Sequence, residues 1–182
     1  STLRHDPDVV MIGEIRDLET AQIAVQAALT GHLVLSTTHT NGAFATVTRL
    51  VDLGVPDYLI ASTLNAVLAQ RLVRLLCPEC RQPTALAPDL AAQSGLARLS
   101  GRDSPTVYRP RGCAACHGRG YHGRIGLYEL LAVDEAVRRR IMALRTDAAP
   151  VRQGRSLFED GLHKVLAGLT TLEEVWGVAA ER

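Results

Sequence analysis

The chain opens with apolar runs separated by a helical stretch, a pattern typical of a strand–helix–strand unit. An unbroken apolar run over Val9–Gly13 predicts a strand buried on both faces. Leu18–Leu29 has the composition of a helix, which Asp17 or Thr20 would cap. A second apolar run, His32–His39, turns polar at its end and predicts another buried strand. This order favours parallel pairing of the two strands with a right-handed crossover.

Helix and strand signals continue through the next segment of the chain. Asn41 is predicted to cap a helix over Ala43–Leu53, and Pro56 and Asp57 to open a helix that ends near Ala66. The apolar stretch Leu68–Leu76 predicts a further strand.

The second half of the chain alternates between irregular and regular stretches. Residues 81–112 are rich in proline and predict one short helix near Leu90–Leu99. A strand is predicted over Ile125–Val133, followed by a helix from Asp134 to about Leu144. Two more helices are predicted, Ser156–Ala167 and a last one that begins with a capping box of Thr171 and Glu174 and ends near Ala180.

Composition narrows the class of protein without identifying it. The chain has 182 residues and is 47% hydrophobic, enough for one domain or one domain with an appendage. The net charge of +1 lacks the basic excess of nucleic-acid-binding proteins, so we expect no nucleic-acid partner. No apolar run has the length of a membrane-spanning helix, and no signal peptide opens the chain. Because the first residue is Ser1 rather than methionine, we expect a piece of a longer protein.

All four cysteines fall into two C-x-x-C pairs, Cys77 with Cys80 and Cys113 with Cys116. Two such turns supply four thiolates in the tetrahedral arrangement of a structural zinc site. A four-thiolate site is closed to water, so the predicted zinc is structural rather than catalytic. The alternative is four reduced or disulfide-linked cysteines without a metal.

Two other interpretations concern only the second pair. Cys113–His117 matches the attachment pattern of c-type haem, but that interpretation leaves Cys77 and Cys80 unused and requires an exported protein. The segment also matches one repeat of the cysteine-rich domain of J-domain chaperones, which contains several such repeats. His117 and His122 are expected to be solvated loop residues, since four thiolates already complete a zinc site.

Polar side chains stand at the ends of the first two predicted strands. Glu14 follows the first strand, and Ser36–His39 end the second. Ligands bind at the carboxyl ends of parallel strands, where an acid can orient a water molecule or hold Mg²⁺ beside a phosphate. The alternative is that Glu14 and Asp17 are only the polar edge between a core strand and a helix.

Four stretches of the sequence resemble the secretion traffic ATPases, the hexameric motors of type II secretion and type IV pilus assembly. They are Leu3–Ala21, Leu29–Asn41, Leu68–Cys80 and Cys113–Glu129. The resemblance covers nearly the whole chain. The four cysteines point to the assembly and secretion branch, because the family's retraction motors lack them. Within that branch the type II secretion ATPase is favoured over the pilus extension ATPase.

The resemblance implies an α/β fold in three segments. Residues 1–76 would be the second half of a RecA-like parallel-sheet ATPase core, with the Walker B motif and the His box. Residues 77–124 would form the tetracysteine zinc-binding subdomain. Residues 125–182 would form a strand and a helical carboxyl-terminal region.

The same resemblance implies roles for individual residues. Glu14 matches the Walker B glutamate, which helps to place Mg²⁺ and the attacking water. His39 matches the His-box histidine near the γ-phosphate. Arg16 completes the Walker B signature, while Arg71 and Arg74 match positions that reach the nucleotide or a subunit boundary. The alternative for both Arg71 and Arg74 is that they are ordinary arginines at the surface or at a sheet edge.

In the longer protein, the resemblance implies ATP and Mg²⁺ as cofactors besides structural zinc. The expected assembly is a homohexamer that acts with an inner-membrane platform protein and a cytoplasmic adaptor. The expected location is the cytoplasmic side of the bacterial inner membrane, as a peripheral protein. There ATP hydrolysis would drive pseudopilus assembly and protein export.

One part of the family's site is missing from this sequence. A P-loop requires a lysine followed by serine or threonine, and the only lysine, Lys164, lies in a predicted helix. The family's acidic box and amino-terminal domain are missing as well. We therefore expect these 182 residues alone not to hydrolyse ATP at a useful rate. The alternative from another functional class is a zinc-stabilised interaction module without catalysis.

Overall fold

A computed structural model describes residues 7–144, 151 and 153–179, which form a mixed α/β fold. The chain divides into two compact units. The first comes from the residues up to Ala69 and from the stretch between Leu130 and Gly154, and the second from Gln70–Glu129 and from Arg155 onward. The three-segment division at residues 76 and 124 stays a prediction. Among the described residues, no helix is long and apolar enough to span a lipid bilayer.

The first unit begins with the predicted strand–helix–strand arrangement. Strand β1 (Val9–Glu14) leads through helix α1 (Leu18–Leu29) to strand β2 (Leu33–Thr37), and the two strands pair in parallel. The predicted bounds of α1 are confirmed. Of the two predicted caps, Asp17 is the one observed, since it accepts a hydrogen bond of 2.8 Å from the backbone N–H of Thr20. The parallel pairing of β1 and β2 is confirmed as well.

The expected burial of β1 and β2 on both faces is wrong. Val9 and Met11 lie opposite Leu33 and Leu35 in the register, and these four side chains are 49–77% exposed. Within the described ranges this sheet has only two strands, and no other layer covers that face. The apolar run therefore predicted the strand correctly and its environment incorrectly.

Three helices complete the first unit. They are α2 (Ala43–Asp52), α3 (Asp57–Thr63) and α6 (Glu135–Met142), and α3 packs against α6. The core that they share is apolar and almost fully buried, and it contains Ala43, Val47, Ile60, Val137 and Ile141.

The predicted start of α2 at Ala43 is confirmed, whereas its predicted cap residue and the predicted end of α3 are wrong. The N-cap of α2 is Gly42 rather than Asn41, and it provides no side-chain hydrogen bond. Helix α3 ends at Thr63 rather than near Ala66, because Ala66 already belongs to the next strand. The cap of α6 is as predicted, since Asp134 accepts a hydrogen bond of 2.9 Å from the N–H of Val137.

Two long strands pair with each other. Strand β3 (Ala66–Leu76) pairs with strand β6 (Tyr121–Ala132). The N–H of Val133 donates to the carbonyl of Asn65 (2.9 Å), and the N–H of Cys77 donates to the carbonyl of Gly120 (3.0 Å). The start of each strand thus meets the end of the other, as in an antiparallel pair.

The segment between the two cysteine pairs is more regular than its proline content indicates. Strands β4 (Gln82–Ala85) and β5 (Thr106–Arg109) pair antiparallel, and two short helices, α4 (Pro88–Ser94) and α5 (Leu96–Ser100), lie between them. The single helix predicted near Leu90–Leu99 is therefore wrong. Gly95 has a φ of +81°, a conformation that ends α4 and turns the chain into α5.

The carboxyl-terminal helices pack into the second unit. Helix α7 (Leu157–Leu166) contacts α5, β5 and helix α8 (Leu172–Ala179). A capping box of Ser156 and Glu159 opens α7. At α8, Thr171 accepts from the N–H of Glu174 at 3.4 Å, but the carboxylate of Glu174 binds Arg74 and does not complete the predicted box.

Gly161 brings α7 close to α8, and its replacement by alanine is expected to destabilise the second unit. A Cβ atom there would lie 2.4 Å from Val175 Cγ1, so the helices would have to separate, at a cost of about 1–3 kcal/mol. Chemical denaturation measures the change. Gly177→Ala is the matched control, because a Cβ on that residue of α8 meets nothing within 4 Å and should be neutral or stabilising. Equal stability of the two variants would contradict the prediction.

Candidate functional site

The carboxyl ends of β1 and β2 are joined by two hydrogen bonds. The N–H of Ile15 donates to the carbonyl of Thr37 (2.9 Å), and the hydroxyl of Ser36 donates to the carbonyl of Gly13 (2.5 Å). These bonds place Glu14 beside the residues that follow β2. As a result, Glu14 Oε1 lies 3.3 Å from His39 Nε2.

Glu14 is also paired with the exposed guanidinium of Arg16. Arg16 Nη2 lies 2.6 Å from Glu14 Oε2, and the side chain of Glu14 is 22% exposed. The hydrogen bond from Arg16, with the positive charge of Arg16 and the proximity of His39, lowers the pKa of Glu14. Glu14 is therefore an anionic carboxylate at neutral pH, able to accept hydrogen bonds from water or to bind a hard cation.

Arg71 and Arg74 belong to the second unit, and Arg74 is bound to the carboxyl-terminal helix. Its Nε and Nη2 donate to Glu174 Oε1 at 3.0 and 2.6 Å, and its backbone N–H donates to Glu174 Oε2 at 3.0 Å. The guanidinium also lies 4.1 Å from the ring centroid of Tyr121. Arg71 Nη1 donates to the carbonyl of Gln70. These contacts support the structural interpretation for Arg74, and a nucleotide role for either arginine stays a prediction.

Glu174→Gln removes the ion pair with Arg74 and is expected to destabilise the second unit at neutral pH. The expected loss is only about 1 kcal/mol, because the Arg74 side chain is exposed to solvent. The hydrogen bond from Arg74 lowers the pKa of Glu174 in the folded protein. The stabilisation is therefore present above the unfolded-state pKa of about 4.5 and is lost as the pH falls through the folded-state pKa.

Thermal unfolding of Glu174→Gln and of the unsubstituted chain between pH 7 and pH 3 checks this expectation. The difference in Tm between Glu174→Gln and the parent should shrink towards the acidic end. Glu173→Gln, at the exposed neighbouring position, is the control and should leave Tm unchanged. A difference that is independent of pH would exclude the ion pair as its cause.

The four cysteine sulfurs form one cluster in the second unit. All four Sγ atoms lie within 4.8 Å of one another, and three of the separations are 3.7, 3.8 and 3.9 Å. These distances exclude disulfides, whose sulfurs are about 2.05 Å apart. A zinc ion bound by four thiolates at about 2.3 Å places the sulfurs about 3.8 Å from one another. The cluster therefore has the spacing of a four-thiolate zinc site.

Two glycines allow the second cysteine turn to close. Cys116 Sγ accepts from the N–H of Cys113 (3.2 Å) and from the N–H of Gly120 (3.1 Å). Gly112 has a φ of +93°, and a Cβ there would lie 2.5 Å from the carbonyl oxygen of Gly118. A Cβ on Gly120 would lie 2.4 Å from Pro110 Cβ. The glycine-rich sequence is therefore required by the turn that delivers Cys113 and Cys116.

The environments of the thiols differ within the cluster. Burial raises the pKa of Cys80 to about 11 and also raises the pKa of Cys77. At Cys116 the effect of burial is outweighed by the N–H groups of Cys113 and Gly120, which lower its pKa to about 6. Four thiolates in such proximity require a metal ion to offset their mutual repulsion.

The neighbouring histidines lie outside this cluster. His117 and His122 are exposed, and neither is among the residues whose ligand atoms converge. Cys113 and Cys116 share their cluster with Cys77 and Cys80, which argues against the haem-attachment interpretation.

The chain is similar to proteins of bacterial secretion. A family model described as type II/IV secretion system protein matches residues 1–177. Type II secretion system protein E of Pseudomonas aeruginosa is 50% identical, over 98% of this chain and 36% of that protein. Type II secretion system ATPase E of Vibrio cholerae is 51% identical over the same shares of the two chains. This chain thus spans about a third of the length of the curated relatives that it matches.

Two solved structures share this fold. The pilus retraction motor PilT with bound ADP superposes with a TM-score of 0.61 at 26% identity, over 99% of this chain and 42% of that one. The ATPase DotB of Legionella pneumophila superposes with a TM-score of 0.58 at 23% identity, over 96% of this chain and 39% of that one. The second likeness concerns the fold alone.

Proposed function

Because the chain belongs to the type II/IV secretion system protein family, we propose that it is part of the ATP-hydrolysing motor of a type II secretion system. The observation that carries this proposal is the pair of Glu14 and His39 at adjacent strand ends. The chain that carries this pair has about 50% sequence identity to proteins named for type II secretion. A parallel sheet edge of this kind is where nucleotides bind in α/β proteins.

In this proposal Glu14 and His39 act on the phosphate end of ATP. Arg16 pairs with the Glu14 carboxylate and lowers its pKa, and this carboxylate orients the attacking water and helps to hold Mg²⁺. His39 is exposed beside Glu14, which leaves its imidazole accessible to a γ-phosphate. Bound Mg²⁺ would neutralise the charge that develops on the transferred phosphoryl group.

The remaining phosphate contacts must come from outside this chain. The only lysine, Lys164, donates a hydrogen bond to Asp160 within α7 and lies 5.1 Å from the ring centroid of Tyr128. It is therefore held in a helix of the second unit and does not serve as a P-loop lysine. We propose that a P-loop in the preceding part of a longer protein completes the site.

The second unit has a structural role in this proposal. Cys77, Cys80, Cys113 and Cys116 hold a zinc ion that stabilises this unit and takes no part in hydrolysis. The proposal further includes a homohexameric ring at the cytoplasmic face of the inner membrane. The ring would act through a platform protein and a cytoplasmic adaptor to assemble a pseudopilus.

A pilus assembly motor is the second candidate within the same family. Its support is the structural likeness to the pilus retraction motor PilT, at 26% identity. Type II secretion is favoured, because relatives named for it are about half identical to this chain. A non-catalytic zinc-stabilised interaction module is the candidate from another functional class. It gives no functional reason for the proximity of Glu14 and His39.

The proposal predicts that this 182-residue chain alone shows no Mg²⁺-dependent ATP turnover, whereas the longer protein does. The expected difference follows from the missing P-loop, whose lysine and backbone N–H groups hold the phosphates. A steady-state phosphate-release assay on both proteins tests it. A longer reading frame without a G-x-x-x-x-G-K-[ST] motif, or a longer protein without turnover, would leave the non-catalytic module as the better description.

A further inference from the structure

A cleft in the second unit has no part in the function proposed above. It has a volume of about 270 Å³ and lies between α5 and α7. Its lining combines three charged residues, a histidine, two leucines and a glycine: Gly95, Arg98, Leu99, Arg155, Glu159, Leu162 and His163. All of these residues belong to the second unit.

Helical spacing explains why these side chains converge. On α5, Arg98 and Leu99 are three and four residues after Gly95. On α7, Leu162 and His163 are three and four residues after Glu159. Residues at this spacing share one helix face, so two faces of opposite helices line the cleft. Gly95 lies beside Leu162, since a Cβ there would be in ordinary contact with Leu162 Cδ1, at 3.8 Å.

The charges of the cleft are unbalanced. Within residues 7–144, 151 and 153–179, neither Arg98 nor Arg155 has an ion-pair, hydrogen-bond or ring partner. Glu159 accepts a hydrogen bond from the backbone N–H of Ser156, which holds its carboxylate in the capping box of α7. Two free guanidinium groups therefore face one carboxylate that is already engaged.

The ligand that fits this lining is a single carboxylate with an apolar neighbour. Guanidinium groups bind carboxylates through paired hydrogen bonds, and His163 adds a further donor or acceptor. Glu159 disfavours a doubly charged phosphate at the same place. Buried Leu162 and half-exposed Leu99 offer apolar contact beside the charges.

The cleft is small for a binding site. Its volume of about 270 Å³ is at the lower end of the range for small-molecule pockets, which usually measure about 300–1,000 Å³. Arg98, Leu99 and Arg155 are exposed, so the cleft is open to a surface that another chain can reach. A side chain that projects from a partner needs only such a shallow anchoring point.

We propose that the cleft between α5 and α7 anchors an acidic segment of a partner protein. A glutamate or aspartate of that segment binds between Arg98 and Arg155. An adjacent aliphatic side chain packs on Leu99 and Leu162. This docking site is separate from the nucleotide chemistry of the first unit.

Titration of the zinc-loaded 182-residue chain, labelled with ¹⁵N, tests the docking site by NMR. The probe is a capped peptide with two glutamates between leucines, and the matched peptide has glutamine in place of glutamate. The acidic peptide is expected to shift the amide signals of Gly95, Leu99 and His163 in a saturable manner. Binding should weaken at least about tenfold when Arg98→Gln and Arg155→Gln are combined, because both guanidinium groups are lost.

Arg102→Gln is the control variant, since Arg102 is an exposed arginine of the same unit that does not line the cleft. It should bind the acidic peptide like the parent. Equal binding of the glutamine peptide would overturn the proposal, as would an equal loss in the control variant. Vesicles of phosphatidylglycerol that shift the same amides, where the acidic peptide does not, would assign the cleft to a membrane instead. If the double variant fails to fold, the comparison of the acidic and glutamine peptides on the unsubstituted chain still tests the docking site.

Discussion

Cys116→Ser is expected to abolish stoichiometric zinc binding and the cooperative unfolding of the second unit. Cys116 is fully buried, and its sulfur accepts two backbone N–H bonds within a cluster whose spacing fits zinc. Binding energy at a structural zinc site is folding energy, so loss of one ligand lowers zinc affinity by about 100-fold or more and removes the support of that unit. Metal analysis of the purified protein and thermal unfolding followed by circular dichroism measure both effects.

His122→Ala is the control for this experiment. His122 lies near the cysteines in the sequence and is exposed, so its loss should change neither zinc content nor Tm. Addition of a strong chelator to the unsubstituted protein should reproduce the effect of Cys116→Ser. A serine variant that retains stoichiometric zinc and the parent's unfolding curve would exclude the four-thiolate site.

Glu14→Gln in the longer protein is expected to lower kcat for ATP hydrolysis by about 10²–10⁴-fold, while ATP binding persists. The substitution keeps the size of the side chain and its contact with Arg16, but removes the negative charge that orients water and helps to hold Mg²⁺. Steady-state kinetics together with binding of a fluorescent ATP analogue separate the two effects. A loss of ATP binding equal to the loss of turnover would place Glu14 in nucleotide binding rather than in catalysis.

Glu19→Gln is the matched control for Glu14→Gln. Glu19 is an exposed acid in the first turn of α1, a few residues from Glu14 in the sequence. Its replacement should leave kcat within about twofold of the parent, since surface substitutions away from special features have small effects. Full turnover by Glu14→Gln would leave the Glu14–His39 pair as an ordinary strand-end contact.

Local signals predicted helix α1 and the two cysteine turns well. Asp17 caps α1 by accepting a hydrogen bond from Thr20, three positions away. Each C-x-x-C turn is complete within four residues. Such information is contained in a short window of sequence. The pairing of β1 with β2 also follows from local order, because a single helix connects the two strands.

Features that depend on distant residues were missed or predicted wrongly. The bond of Arg74 to Glu174 joins positions 100 residues apart, and no local pattern indicates it. The exposed face of β1 depends on which layers surround the sheet, not on the apolar run itself. The Arg98 and Arg155 cleft depends on the packing of α5 against α7, two helices far apart in the sequence.

The order in which contacts of the second unit become available has a consequence for its synthesis. Strand β3 ends next to Cys77, whose sulfur partner Cys113 lies 36 residues later, and Glu174 lies 100 residues after Arg74. On a ribosome, β3 therefore emerges well before β6, the second cysteine turn or α8. Contacts at such sequence separation form slowly. We expect β3 to stay without its strand partner until β6 has emerged, so that this unit completes its fold only late in translation.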